Sequence, residues 1–234
     1  MHTIFQHQKP YPQPIKRLFE LLCVCLSVFV LFTCVSCGKK IDYFSYVSEL
    51  RDNVFLAENE RFSLRAYALE KESPYVTDGI PCEKNVRTEI YLCAPSGDKT
   101  CNILFHLDGN EYGGEMSYDN VKGEYFYACP ASSSALSAMD FEITYGKETF
   151  TLTANSVHTE STLSAKSALR IVVDSEMELF SSLTDKYGFA GEIYMRLLYE
   201  DAPFYYVGVI NRNGEVTAFL LNATTGRILA KRNP

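Results

Sequence analysis

Catalysis near neutral pH draws on histidine more than on any other side chain. This 234-residue chain has 4. His2 and His7 precede the apolar run Leu21 to Gly38, which leaves His106 and His158 to the bulk of the chain. His106 lies in "CNILFHLDG", where strand alternation puts Leu104 on its own face and Phe105 and Leu107 on the other. His158 lies in the polar stretch "HTESTLSAKS". Both read as surface histidines. No H-E-x-x-H, G-x-S-x-G or P-loop pattern occurs. "PASSSALSA" offers serines without a Ser-x-x-Lys and reads as a flexible loop. "LDGNEYGGE" brings Asp108, Asn110, Glu111 and Glu115 close together, but without the spaced ligands of an EF-hand loop, so it reads as a solvated turn. The acid pairs Glu58/Glu60, Glu70/Glu72 and Glu200/Asp201 read as solvated strand ends; a glycosidase would need two carboxylates facing one cleft. The sequence therefore names no catalytic residue, no metal ligand and no cofactor-binding residue.

An aromatic cluster is the stronger signal. Tyr194, Tyr199, Phe204, Tyr205 and Tyr206 crowd neighbouring segments that alternate like strands. One face of these strands is expected to pack on a helix. The other can present tyrosines to a partner, because tyrosine is enriched at interfaces. Alternation separates Tyr205 from Phe204 and Tyr206, and Tyr205 is taken as the exposed member. The competing reading is cross-strand aromatic packing for stability.

Eight cysteines divide into two groups. Cys23, Cys25, Cys34 and Cys37 lie in or at the end of the apolar run; Cys82, Cys93, Cys101 and Cys129 lie beyond it. Four cysteines allow three pairings. "IYLCAPSGDKTCNIL" reads as two strands around a Pro-Ser-Gly-Asp turn, which a Cys93–Cys101 bridge would staple. The alternative is four buried thiols. No pair has CxxC spacing, so neither zinc nor dithiol redox chemistry is indicated.

The elements that position these residues follow from the N-terminus. Lys9, Lys16 and Arg17 precede about 18 uncharged residues, roughly the minimum for a bilayer-crossing helix. The chain then turns polar after "CVSCGKK". A basic flank, an apolar run and small residues are the parts of a secretory signal. Ser36 followed by Cys37 resembles a bacterial lipobox, with Cys34, Val35 and Ser36 where the family prefers Leu and two small residues. The resemblance implies cleavage between Ser36 and Cys37 and acylation of the Cys37 sulfur. Cys34, preceded by Phe32 and Thr33, is a second candidate, and an uncleaved transmembrane anchor is the alternative. In either case the bulk of the chain is tethered to the bilayer on the extracytoplasmic face of the cell membrane. Two or more acyl chains hold a protein firmly.

Removing residues 1–36 takes away a net charge of +2, so −7 becomes −9. That balance argues against nucleic acid as a partner and against electrostatic adhesion to anionic lipid. The rest of the chain is rich in Tyr and Phe and lacks Trp, which points to β structure. Residues 37–53 read as a tether. Residues 54–157 carry several short alternating segments separated by turn signals, read as an immunoglobulin-like β-sandwich. Residues 162–232 begin with Leu169, Val172, Val173, Met177, Phe180, Leu183 and Tyr187 at three- and four-residue steps, one stripe on a helix of about 24 residues. Strands follow, with Ile193, Met195 and Leu197 on one face and a hairpin at Asn213-Gly214 suited to a type I′ turn.

A helix, a meander and the ending "FLLNATTGRILA" resemble the PepSY-like domains, whose typical ending is D-A-x-T-G before a short apolar strand. Asn222, Ala223, Thr225 and Gly226 match it, with Asn for Asp. The expected fold class is thus α+β: a signal helix, an immunoglobulin-like sandwich and a PepSY-like helix plus antiparallel meander. The resemblance implies peptidase inhibition or another binding role and no catalytic residues. The expected function is a noncatalytic envelope lipoprotein that binds a protein or peptide partner. An envelope hydrolase with an unrecognised site and a passive structural protein are the alternatives.

Overall fold

In the computed structural model, residues 41–73 and 79–234 are described, and residues 42–234 form one compact unit. Among the described residues thirteen strands join one sheet. Two short α-helices, α1 (Ala165–Ser175) and α2 (Met177–Ser182), lie beside a two-stranded ribbon, β10 (Thr184–Asp185) and β11 (Gly188–Phe189), and a 3-10 turn at Tyr43–Tyr46 leads into the first strand.

The first half of the unit is a nearly closed antiparallel barrel. β1 (Val47–Glu58), β2 (Ser63–Glu72), β3 (Lys84–Cys93) and β7 (Glu124–Cys129) form one wall, with β6 (Ser117–Asp119) at its edge. β9 (Glu148–Ser156), β8 (Ala138–Tyr145), β4 (Cys101–Leu107) and β5 (Asn110–Glu115) form the other. β5 approaches β7, where the Tyr127 hydroxyl donates to the Gly113 carbonyl at 3.0 Å. Period-two alternation fills the interior with Phe55, Leu64, Ile90, Leu92, Ile103, Phe105, Phe141 and Ile143, all buried. Two of its turns follow the sequence closely. Asp108 and Gly109 both have positive φ and join β4 to β5, and Tyr145-Gly146-Lys147 joins β8 to β9.

The second half is a meander of β12 (Glu192–Tyr199), β13 (Pro203–Ile210), β14 (Val216–Asn222) and β15 (Ile228–Arg232). Its inner face buries Ile193, Met195, Leu197, Tyr205, Val207, Val209, Phe219 and Leu221, with Ala168, Leu169 and Val172 of α1 packed over β13, while Phe180 of α2 packs on Tyr43 and Phe189. The Ser164 hydroxyl accepts from the Ser167 N–H and caps α1.

β1 belongs to both halves. Its first residues run parallel to β12, with Leu50 opposite Met195, and its last residues pair with β9. A bulge at Asp52 sits between these two uses of the strand and shifts its register against β2.

The expected α+β arrangement of a sandwich and a separate helix-plus-meander module is overturned. The first half is barrel-like instead of two packed sheets, and the meander continues directly into it through β1. Residues 47–53 are strand and not tether, because Val47, Ser48 and Leu50 are buried in that junction. The expected 24-residue helix breaks at Glu176 (φ −126°) into two short ones. Met177 and Tyr187, members of the supposed stripe, are exposed. The PepSY-like fold is thus not the fold of this chain. Its quoted ending is a turn in its own right. The Asn222 side chain accepts from the Thr224 and Thr225 N–H groups, and Gly226 has a φ of +72°. At the β13–β14 hairpin only Gly214 has positive φ, so the turn is not type I′.

Candidate functional site

The sheet has one covered face and one open face. Strand alternation that sends Met195 and Leu197 under α1 sends Tyr194 and Arg196 outward. The cross-strand register carries this parity across six strands: Tyr206 on β13, Arg196 on β12, Arg51 and Glu49 on β1, Lys71 and Tyr67 on β2, Glu89 and Tyr91 on β3, and Phe126 on β7. These outward residues form a continuous row of rings and charges.

At one end the Tyr194 and Tyr206 rings stack with centroids 5.7 Å apart. Tyr194 lies over Gly208, where a Cβ would stand 2.2 Å from the ring, so this glycine makes room for the aromatic pair. Burial, with the neighbouring Tyr206 hydroxyl, pushes the Tyr194 phenol up to about 12. Next to the pair, the Arg196 Nε donates to Glu49 at 2.6 Å, and the Lys71 ammonium approaches the same carboxylate at 3.3 Å. Burial raises the Glu49 carboxyl, but the bond and charge of Arg196 and the charge of Lys71 outweigh it and hold it below the usual range. Arg51 follows, its guanidinium 3.9 Å from the centre of the Tyr67 ring. Tyr67, Tyr91 and Phe126 continue the row at centroid distances of 5.7 and 5.0 Å. It ends in a shallow 220 Å³ pocket lined by Tyr91, Tyr118, Asp119, Lys122 and Phe126.

A second cavity of 250 Å³ lies on the opposite side, at the junction of the two halves. Asp52 of the bulge, Ser134, His158, Ser164 and Tyr205 line it. The Ser134 hydroxyl donates to Asp52 at 2.9 Å. Burial raises the Asp52 carboxyl, partly offset by that bond. A serine committed to a carboxylate is not the serine–imidazole pair that nucleophilic attack requires.

Several expected sites fall elsewhere. Tyr205 is not on the open face: it is fully buried beneath the helices, and its hydroxyl donates to the Leu163 carbonyl at 2.9 Å. Tyr206, half-buried against Tyr194, holds the outward position, because β13 has the parity opposite to the one expected. Cys93 and Cys101 form no disulfide; both, with Cys129, are free thiols. The proposed hairpin does not exist, since β3 pairs with β2 and β7 while β4 pairs with β5 and β8. Cys101 faces the interior, its sulfur 3.7 Å from that of Met116, and burial pushes the thiol up to about 11. His106 is exposed, 3.7 Å from Glu111. Among the described residues no cluster of His, Cys, Asp and Glu could hold a metal ion, and no helix is long and apolar enough to cross a membrane. Ser36 and Cys37 lie outside the described residues.

Sequence reasoning missed the Arg51–Tyr67–Tyr91–Phe126 row. The signal that could have found it is the alternation in "RFSLRAYALEKE" and "VRTEIYLC", which puts Tyr67 on the side opposite Leu64 and Ala66 and Tyr91 on the side opposite Ile90 and Leu92. Only the pairing of distant strands joins them. No protein-family model, no curated protein and no solved structure matches this chain.

Proposed function

We propose that this is a lipid-anchored protein on the extracytoplasmic face of a bacterial cell membrane, and that it binds a protein partner through the open sheet face without catalytic turnover. The observation that carries the binding reading is the row of outward tyrosines and arginines from Tyr206 to Phe126. Rings and guanidinium groups dominate the binding energy of protein interfaces. The lipid anchor rests on the basic flank, the apolar run and Ser36-Cys37.

Two experiments test this. Mass spectrometry of the membrane-bound protein should give a diacylglyceryl cysteine at position 37 as the N-terminus, and Cys37→Ala should stay unprocessed. A free Met1 terminus without lipid overturns the anchor. A photo-crosslinking residue placed at Tyr206 in the full chain should trap a partner in intact cells, whereas one at Glu142, exposed on the outer side of β8, should not. Equal labelling from both positions overturns the face.

A hydrolase is the second reading; the junction cavity gathers Asp52, Ser134 and His158, and Ser134 would have to exchange Asp52 for the His158 imidazole to act as a nucleophile. Turnover of an ester or amide substrate that vanishes in Ser134→Ala would establish it.

A further inference from the structure

The centre of the open face holds a partly buried cation with no acid in contact among the described residues. Arg196 and Lys71 share Glu49, Arg87 meets Glu89 at 3.1 Å, and Arg65 is bound by Glu124. Arg51, in the middle of the row, has no ion pair and no side-chain hydrogen bond among the described residues. Its Nε is closed off from solvent without a partner. The guanidinium is fixed over the Tyr67 ring, and Arg196 stands opposite Arg51 in the β1–β12 register. Burial lowers its affinity for a proton, as does the charge of Arg196. The cost of partly desolvating this charge is thus already met in the folded state, and Glu49 and Glu89 offset it only through charge at a distance, without an ion pair or hydrogen bond.

We infer that Arg51 anchors an anion-recognition site, and that its ligand is a carboxylate on an extended acidic peptide segment laid across the open face. This rests on the proposed reading of that face as a binding surface. A guanidinium fork matches a carboxylate with two parallel hydrogen bonds. Stacking on Tyr67 holds the fork in place before the ligand arrives, so little rotamer freedom is lost on binding. The cations flanking it, Arg196, Lys71, Arg87 and Arg65, carry internal carboxylates, so the centre of the face suits one well-placed acid and not the dense charge of a polyanion. The remaining contacts are aromatic, Tyr194 and Tyr206 on one side and Tyr91 and Phe126 on the other. From β13 to β7 the row crosses about 24 Å at the usual strand spacing, the length of roughly seven extended residues.

The test is selection of random decapeptides on the detergent-solubilised full chain, with Arg51→Gln and Arg51→Lys beside it. Peptides enriched on the native protein should share Asp or Glu at one position and should bind at least tenfold more weakly to Arg51→Gln at unchanged melting temperature. Arg51→Lys keeps the charge but loses the fork, and should also weaken binding; it decides the matter if Arg51→Gln does not fold. Enrichment without a shared acid, or equal affinity for native and variant protein, overturns the inference. Arg51-dependent binding of polyphosphate that displaces the selected peptides overturns it in favour of a polyanion. A partner trapped from Tyr206 together with no acid preference removes this inference alone, whereas silence at Tyr206 removes the reading of the face beneath it.

Discussion

At the scale of the residue, parity decides what each tyrosine does. Tyr205 and Tyr206 are neighbours, yet one is fully buried under the helices and the other lies in the open row. Tyr205→Phe removes only the hydrogen bond to Leu163 and should cost about 1 kcal/mol, while Tyr205→Ala should cost about 3–5 kcal/mol by leaving a cavity; urea titration of the two variants checks the order. The alternation itself was legible in "PFYYVGVI", but which set faces inward was not, since both contain aromatics. Only the position of α1 settles it. Glu49 supplies a pH test. Its folded carboxyl lies below the ordinary value of 4.5, so its contribution is fully present above that pH and is lost as the pH falls through the lower folded value. Glu49→Gln should lower the melting temperature at pH 7, and the difference from the native protein should shrink in acid below pH 4.5. An undiminished difference at the acid end would show that the Arg196–Glu49 pair is not its source.

At the scale of the element, the turn residues were the most readable part of the chain. Asp108-Gly109, Gly146 and the Asn222–Gly226 turn stand where their types require, because positive φ and side-chain acceptors are local demands. Gly226 has a second reason to be glycine: a Cβ there would stand 2.4 Å from Ile171 Cδ1 on α1. Gly226→Ala should therefore destabilise by more than the roughly 1 kcal/mol of a left-handed alanine, and Gly226→Ala combined with Ile171→Ala should recover part of the loss in a thermal melt. What could not be read was pairing at long range. "IYLCAPSGDKTCNIL" has the look of a hairpin, but β3 and β4 diverge to opposite walls, and with them go Cys93 and Cys101. The helical stripe failed for a different reason. Three- and four-residue steps continue through Glu176, where the backbone itself leaves the helix.

At the scale of the molecule, β1 explains why the sequence looked like two modules and folds as one unit. Composition changes near His158, and a linker there is a fair reading of "HTESTLSAKS". The connection is nevertheless tied down on both sides: the Val157 N–H donates to the Val54 carbonyl at 2.9 Å, and the Leu163 N–H to the Ala223 carbonyl at 2.8 Å. Calorimetry should accordingly give one transition, and Leu50→Asp, which strikes the shared part of β1, should abolish folding of the barrel and the meander together. Two separable transitions would restore independent modules. The shared strand also bears on how the fold answers tension. β1 is the first strand of the unit and lies between β2, antiparallel, and β12, parallel. A pull on the N-terminal end of β1, against a load held at the far strands, runs along the strand axis. The hydrogen bonds on both flanks then resist side by side, as in a shear joint, and do not open one after another like a zip.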